Sequence, residues 1–320
     1  MSSLEIAPFS GEHLDAAAEL LAARHRRHRQ AEPLLPERFE QPGAARDEIE
    51  ALWQSDGAAG SVASRAGRVV GYLVGTRRDD AVWGPNVWIE AAGHAVEEAE
   101  TARDLYAAAA GGWVREGRTR HYVLLPATEA ALIDAWFRLC FGQQHAHGIR
   151  EVPAAREESP PDVVVGSAEE RDIDDLVRLA PILGEHQALS PVFSGLAPSE
   201  TEEELRAEIG EDLADPSVGT LVAEVRDRVV GNFVVVPVEA SSAHTGLARP
   251  EQAAHLGWAA TLPDVRGAGV ALTNAVFRWA RERGYETIVT DWRVTNLLSS
   301  RFWPRRGFRT SFLRLYRSIP

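Results

Sequence analysis

Asp264 to Ala271 reads "DVRGAGVA", between the apolar run "AHLGWAATLP" and the helix-like run "LTNAVFRWARERG". A chain turning from strand into helix exposes the helix's first unpaired N–H groups, and the aligned peptide dipoles add partial positive charge there. Gly267 and Gly269 remove the Cβ atoms that would block an approaching phosphate, and they permit positive φ. Such a turn suits a pyrophosphate. A dinucleotide fingerprint would place G-x-G-x-x-G in the first βα unit with an acidic residue about 20 positions on. Here the turn comes late, after a hairpin, and has no third glycine. A Walker loop needs a lysine, and the sequence contains none, which also excludes a Schiff-base lysine.

The elements that position this turn follow from pattern. "DVVVGS" reads as a strand and "SAEERDIDDLVRLA" as a helix capped by Ser167, with acidic residues in its first turn. "ETEEELRAEIGEDLA" is a second helix. A β-hairpin follows, then strand "AAHLGWAATL", the glycine turn, helix "VALTNAVFRWARERG", strand "YETIVTDW", helix "NLLSSRFWPRRG" and strand "FRTSFLRLYRS". Leu272, Val276, Trp279 and Ala280 fall at i, i+4, i+7 and i+8, one apolar stripe that must lie on a sheet. The fold class is mixed α/β.

The unit occurs twice. "RVVGYLVG" from Arg68 recurs as "RVVGNFVV" from Arg228, an offset of 160, each after an alternating run. "WVREGRTRHYVLL" from Trp113 matches "WARERGYETIVTD" from Trp279 at an offset of 166, and "LCFGQ" from Leu139 matches "RGFRT" from Arg306 at 167. Between the halves, "REVPAAREESPPDVVV" carries Pro153, Pro160 and Pro161 with a charge cluster and reads as a linker, so the boundary is set near residue 157.

Composition narrows the function. With 320 residues, two domains of about 150 are expected. Acidic residues outnumber basic ones 47 to 34, a net charge of −13, which argues against a general nucleic-acid binder. The single cysteine, Cys140, cannot form an internal disulfide, and the N-terminus lacks the charged-then-apolar pattern of a secretory signal. No uncharged apolar run approaches about 20 residues. These features predict a cytoplasmic protein with no nucleic-acid or membrane partner, a monomer or homodimer, and no metal is expected.

The turn resembles the acyl-CoA pyrophosphate loop of the GNAT N-acetyltransferase superfamily, whose pattern is Gln/Arg-x-x-Gly-x-Gly/Ala between a strand and a helix. Asp264, Val265, Arg266, Gly267, Ala268 and Gly269 fill it, with Asp264 a departure at the first place. Members often carry Asn-x-x-Ala-x-x-x-Tyr-x-x-x-Gly-Phe after the next strand, and this chain has "NLLSSRFWPRRGF" from Asn296 to Phe308. Asn296, Gly307 and Phe308 match, Ser299 stands for the small residue, and Trp303 stands where the tyrosine is usual. The resemblance covers residues 158 to 320.

It implies acetyl-CoA as co-substrate, with the pyrophosphate on the amides of Val265, Arg266, Gly267, Ala268, Gly269, Val270 and Ala271, and with Asn296 and Ser299 in the cofactor site. Arg266, Arg301, Arg305 and Arg306 are candidates for the 3′-phosphate. Members transfer acetyl directly to an amine, without an acyl-enzyme. His255 is the leading base: it lies twelve residues before Gly267, where members such as serotonin N-acetyltransferase also place a histidine. Glu251 and Glu239 are the reserves. An indole has no proton to give, so Trp303 cannot take the tyrosine's role as acid; Tyr316 on the last strand, or solvent, would protonate the thiolate. Trp303 is expected against the CoA arm or the acceptor. The acceptor is expected among the loop "LGEHQALSPVFSGLAP" and the strand end at Asp291 to Arg293, with Glu185, His186, Phe193, Asp291 and Trp292 shaping a site for a small-molecule amine.

The first copy lacks the loop. At an offset of 166, Arg266 to Ala271 falls on "ETARDL" from Glu100, which has no glycine, and Glu97, Glu98 and Glu100 would repel a pyrophosphate. Asn296 falls on Ala130. The resemblance therefore implies two tandem GNAT-like domains, residues 1–156 degenerate and structural, and residues 157–320 binding acetyl-CoA and catalytic. This organisation resembles that of mycothiol synthases. "RHRRHR" from Arg24 sits late in the first helix, where cations suit the dipole. Three functions remain open: an N-acetyltransferase for a small-molecule amine, an acyl-CoA-binding sensor or scaffold without turnover, and a protein or peptide N-acetyltransferase.

Overall fold

The computed structural model describes residues 3–80, 83–155, 160–194 and 201–320. They form two compact units, Met1–His147 with Gly246–Arg249 and Thr310–Pro320, and Gly148–Thr245 with Pro250–Arg309. The boundary expected near residue 157 lies outside the described residues. The units are interleaved rather than successive, because the last strand of the chain pairs within the first unit.

The first unit holds β1 (Leu4–Pro8), α1 (Leu14–Ala31), α2 (Pro42–Gln54), β2 (Ala58–Arg65), β3 (Arg68–Asp80), β4 (Gly84–Ile89), β5 (His94–Val96), α3 (Thr101–Arg115), β6 (Arg120–Pro126) and α4 (Ala130–Phe137). Strand β7 (Gly142–Glu151) lies in this unit through His147. The second unit holds β8 (Val164–Ser167), α5 (Ile173–Leu179), α6 (Pro181–Ala188), α7 (Glu202–Ala214), β9 (Gly219–Val225), β10 (Arg228–Pro237), β11 (Ala253–Thr261), α8 (Ala268–Glu282), β12 (Thr287–Arg293) and α9 (Ser299–Arg305). The final strand, β13 (Arg309–Ser318), pairs antiparallel with β6, from Phe312 opposite Pro126 to Ser318 opposite Arg120.

Strand order in the first unit is β1-β2-β3-β4-β6-β13, with β5 on β3; in the second it is β12-β11-β10-β9-β8. Each sheet is mixed: β4 runs parallel to β6 and β11 parallel to β12, while β2 with β3, β3 with β4, β9 with β10 and β10 with β11 are antiparallel. This is the expected mixed α/β class.

The duplication extends to defects in the ladder. Both hairpins turn on two residues of positive φ, Ala66 and Gly67 in one and Arg226 and Asp227 in the other, the primed geometry that matches strand twist. In β3 the register skips Val70, and in β10 it skips Val230, again 160 residues apart. A bulge adds one residue to one strand and bends it. Further on, Asn86 stands opposite Arg120 and Ala253 opposite Thr287, so an offset of 167 relates the parallel pairs.

Helix α8 fixes the glycine turn. All four residues of the predicted stripe, Leu272, Val276, Trp279 and Ala280, are buried, together with Ala268, Ala271, Ala275 and Phe277. Each large apolar side chain contributes about 1.5–3 kcal/mol when withdrawn from water. The helix start is thereby held at the end of β11. At the equivalent helix start in the first unit, Glu97 pairs with Arg68, Glu98 with Arg65, and Glu100 with Arg103 and Arg138. Carboxylates occupy that end instead of an open anion site.

The run from Arg24 divides between solvent and core, with Arg26 and Arg27 exposed. Arg24, His25 and His28 are buried, and Arg24 donates to the carbonyls of Ala91 and His94 and to His94 Nδ1 at 3.2 Å. Burial pushes His25 and His121 down to about 4 and His28 and His94 down to about 3, Arg24 adding to the effect at His25, His28 and His94. In the unfolded chain these imidazoles bind protons near 6.5, so below that pH the unfolded state holds more protons and folding stability falls as pH falls, down to the folded values. We expect the free energy of unfolding to fall between about pH 7 and about pH 5, by up to about 1.4 kcal/mol per pH unit for each imidazole, and urea midpoints to fall with it. Urea melts across that range check this; a midpoint that is flat or rises on acidification would contradict it.

Candidate active site

Parallel pairing of β11 with β12 covers only Ala253 to Leu256 against Thr287 to Thr290. β11 continues to Thr261 and β12 to Arg293. The last tie across the pair is Thr290 Oγ1 donating to the Leu256 carbonyl at 2.9 Å. Beyond it the backbone of Gly257 to Thr261 is open on that side, an edge along which an extended ligand can lie. On its other side β11 stays paired with β10 through a register shift that passes over Gly257.

His255 sits at the fork, opposite Val289 in β12 and Val236 in β10, and is 9% exposed. A Cβ on Gly257 would meet its ring at 3.1 Å, so the glycine leaves the space the imidazole fills. His255 Nε2 lies 3.9 Å from Asp291 Oδ1, and the His244 ring centre is 4.9 Å from the His255 ring. Asp291 is thus brought to the predicted base. His244 was not singled out from sequence: it lies in a loop between strands, and only its spacing of eleven residues from His255 could have hinted at it.

The glycine turn lies at the far end of β11. Gly267 adopts φ +90° and ψ −20° as the N-cap of α8, with Ala268 the first helical residue. Val265 N–H donates to Leu262 O at 3.3 Å and Ala271 N–H to Gly267 O at 3.0 Å, so these two amides serve the turn and the first helical bond. That corrects the expectation that both face the pyrophosphate. The amides of Arg266, Gly267, Ala268, Gly269 and Val270 have no protein acceptor among the described residues. Five consecutive donors at a helix start fit a pyrophosphate. A Cβ on Gly267 would meet Pro160 Cγ at 2.9 Å, so the positive φ and the packing of Pro160 demand this glycine, and its missing Cβ does not open room for phosphate. A Cβ on Gly269 would meet Phe302 at 3.4 Å.

Asn296 and Ser299 organise the start of α9. Asn296 Oδ1 accepts from the amides of Leu298 at 3.1 Å and Ser299 at 3.3 Å and stands 3.2 Å from His186 Nε2, which ties α6 to this turn. Glu185, Glu239 and Glu251 are exposed, as is Phe193; residues 195–198 of the expected acceptor loop lie outside the described residues.

Two expected site residues are buried in the core, and a third belongs to the first unit. Trp303 is buried among Phe233, Phe302 and Phe308, at ring separations of 6.1, 4.9 and 5.5 Å, and is core rather than a wall for CoA or acceptor. Trp292 is also buried, closely enough under Gly148 that a Cβ there would lie 2.4 Å from its ring. Successive strand residues face opposite ways, so Asp291 at the fork requires Trp292 on the other face. Tyr316 belongs to the first unit, where it pairs with Tyr122 and stacks on its ring at 5.0 Å.

The acetyltransferase (GNAT) family model matches residues 185–308, from α6 through the aromatic core below α9. This segment belongs to the GNAT acetyltransferase family. Among curated proteins none matches the chain. A GCN5-related N-acetyltransferase from Sphaerobacter thermophilus shares the fold at a TM-score of 0.59 and 13% identity, covering 98% of this chain and 95% of its own. A tandem GNAT protein from the clavulanic acid biosynthesis pathway covers 99% of both chains at a TM-score of 0.51 and 13% identity. The chain therefore has two GNAT-like folds in tandem. In the first, the offset of 167 puts Trp88 at the place of His255 and Leu124 at the place of Asp291. Trp88 is stacked on Tyr122 at 4.5 Å, and no proton acceptor stands there.

In the GNAT domain the two glycines of the turn should behave differently. Gly267→Ala, forced to positive φ against Pro160, is expected to cost about 1–3 kcal/mol of stability, and Gly269→Ala well under half of that. Urea unfolding measures both; equal costs would contradict the assignment.

Proposed function

We propose that the second unit transfers the acetyl group of acetyl-CoA to the primary amine of a small molecule, directly within a ternary complex. The observation that carries this reading is the parting of β11 and β12 after Leu256 and Thr290, with His255 in the fork and open amides at the start of α8. The amides of residues 266–270 hold the pyrophosphate, and the free edge of Gly257 to Thr261 pairs with the pantetheine arm, bringing the thioester toward the fork. His255 Nε2 takes the proton of the acceptor's ammonium group. The amine nitrogen then forms a bond to the thioester carbon as the carbon–sulfur bond breaks, the nitrogen releases its second proton to solvent to leave the neutral amide, and solvent protonates the departing thiolate. Tyr316 has no part in this scheme, and Asp291, partly exposed beside His255, attracts a cationic acceptor.

The first unit acts as scaffold, since Trp88 and Leu124 stand where His255 and Asp291 do the work. The test is to incubate the protein with acetyl-CoA and a panel of amino sugars, arylalkylamines, polyamines and amino acids, and to follow free thiol. We expect release with at least one acceptor, and we expect His255→Ala to lower kcat about 100-fold with the KM for acetyl-CoA little changed. Tight CoA binding with no release across the panel would favour the sensor reading, which the buried Trp303 in place of a tyrosine supports. A His255→Ala enzyme with unchanged kcat would remove the histidine as base.

A further inference from the structure

His244, His255 and Asp291 each offer a donor atom, and those atoms lie within 4.8 Å of one another. Both imidazoles are buried, His244 at 1% and His255 at 9% exposure. The three residues come from three segments, the loop after β10, strand β11 and strand β12. We infer that they form a binding site for one divalent transition-metal ion of the zinc class, which when bound takes the lone pair of His255. The metal-binding claim stands on the cluster alone; the consequence for catalysis rests on the function proposed above.

Distances favour an ion over a direct contact. His255 Nε2 has no hydrogen-bond partner among the described residues, and its 3.9 Å separation from Asp291 Oδ1 is too long for a hydrogen bond. Two atoms bound tetrahedrally to zinc at about 2.0–2.1 Å stand roughly 3.3 Å apart, so this pair must close by about 0.6 Å, and a pair as wide as 4.8 Å must close further, to bind one ion. His244 Nδ1 is 3.2 Å from Ser241 Oγ, and Ser241 Oγ is itself fixed by the amides of Ala243 and His244. A metal on His244 Nε2 requires Nδ1–H to donate to Ser241 Oγ, which then gives up the longer of its two amide contacts, that from Ala243 at 3.3 Å; this is the outer hydrogen bond that orients metal-binding histidines. Two imidazoles and one carboxylate suit zinc, cobalt or nickel better than magnesium or calcium, and three protein ligands leave a fourth position open to water or an amine.

The test is titration of the full chain, without acetyl-CoA or amine, with Zn²⁺ by calorimetry and with Co²⁺ by visible absorption. One saturable site per chain is expected, displaced from Co²⁺ by Zn²⁺ and unaffected by Mg²⁺. Asp291→Asn and His244→Gln should each weaken binding at least about tenfold, and Ser241→Ala about tenfold, with thermal melts reporting whether each variant folds. Asp291 is partly exposed, so its variant keeps the test decisive if His244→Gln fails to fold. The exposed Cys140 is controlled by Cys140→Ser, which should bind as wild type. No saturable binding, binding lost in Cys140→Ser, or undiminished affinity in folded Asp291→Asn would overturn the site. These readings hold whether or not any amine is acetylated. Where an acceptor is found, Zn²⁺ at saturating concentration should abolish its turnover, and undiminished turnover would refute the capture of His255.

Discussion

The second unit depends on a parallel strand pair that ends early. β11 and β12 exchange backbone hydrogen bonds from Ala253 to Leu256, and the Thr290 hydroxyl closes the last step. Past that point β11 keeps its bonds to β10 alone, and the polar groups along its other edge need a partner. Every other feature of the site is placed by this end. His255 lies one residue inside it, Asp291 one residue outside it, and the continuing strand delivers the chain to the amides at the start of α8.

The two copies separate what the fold requires from what the site requires. Both keep the primed hairpin turn, the skipped valine at Val70 and Val230, and the parallel pair. The residues at the fork are different. Trp88 stacks on Tyr122 where His255 faces Asp291, and paired carboxylates crowd the helix start where the other copy has open amides. In the first unit aromatic packing thus fills the place of His255, and ion pairs fill the helix start.

Much of this was readable in the sequence. The glycine turn, the hairpins and the stripe on α8 obey local rules of spacing, and local rules survive folding. What was missed depends on partners distant in the chain. The exchange of β13 into the first unit leaves no mark on its own alternation, so spacing alone does not reveal that Tyr316 pairs with Tyr122. Asp291 and Trp292 were both sent to the acceptor pocket, although adjacent strand residues cannot share a face. Trp303 was read from its place in a motif, whereas its burial among three phenylalanines is a matter of packing. His244 lies in a loop whose only sequence signal is its spacing of eleven residues from His255, and the fold is what brings the two rings together.

Under the proposed function, one copy of the duplicated unit keeps an anion site built from backbone amides at the start of α8. Amide nuclear magnetic resonance of the isotope-labelled chain during titration with CoA reads those groups directly. The account predicts one CoA per chain, with the largest shifts at residues 266–270 and along Gly257 to Thr261, and none at the matching helix start from Glu100. Two molecules bound per chain, or shifts confined to the first unit, would contradict it.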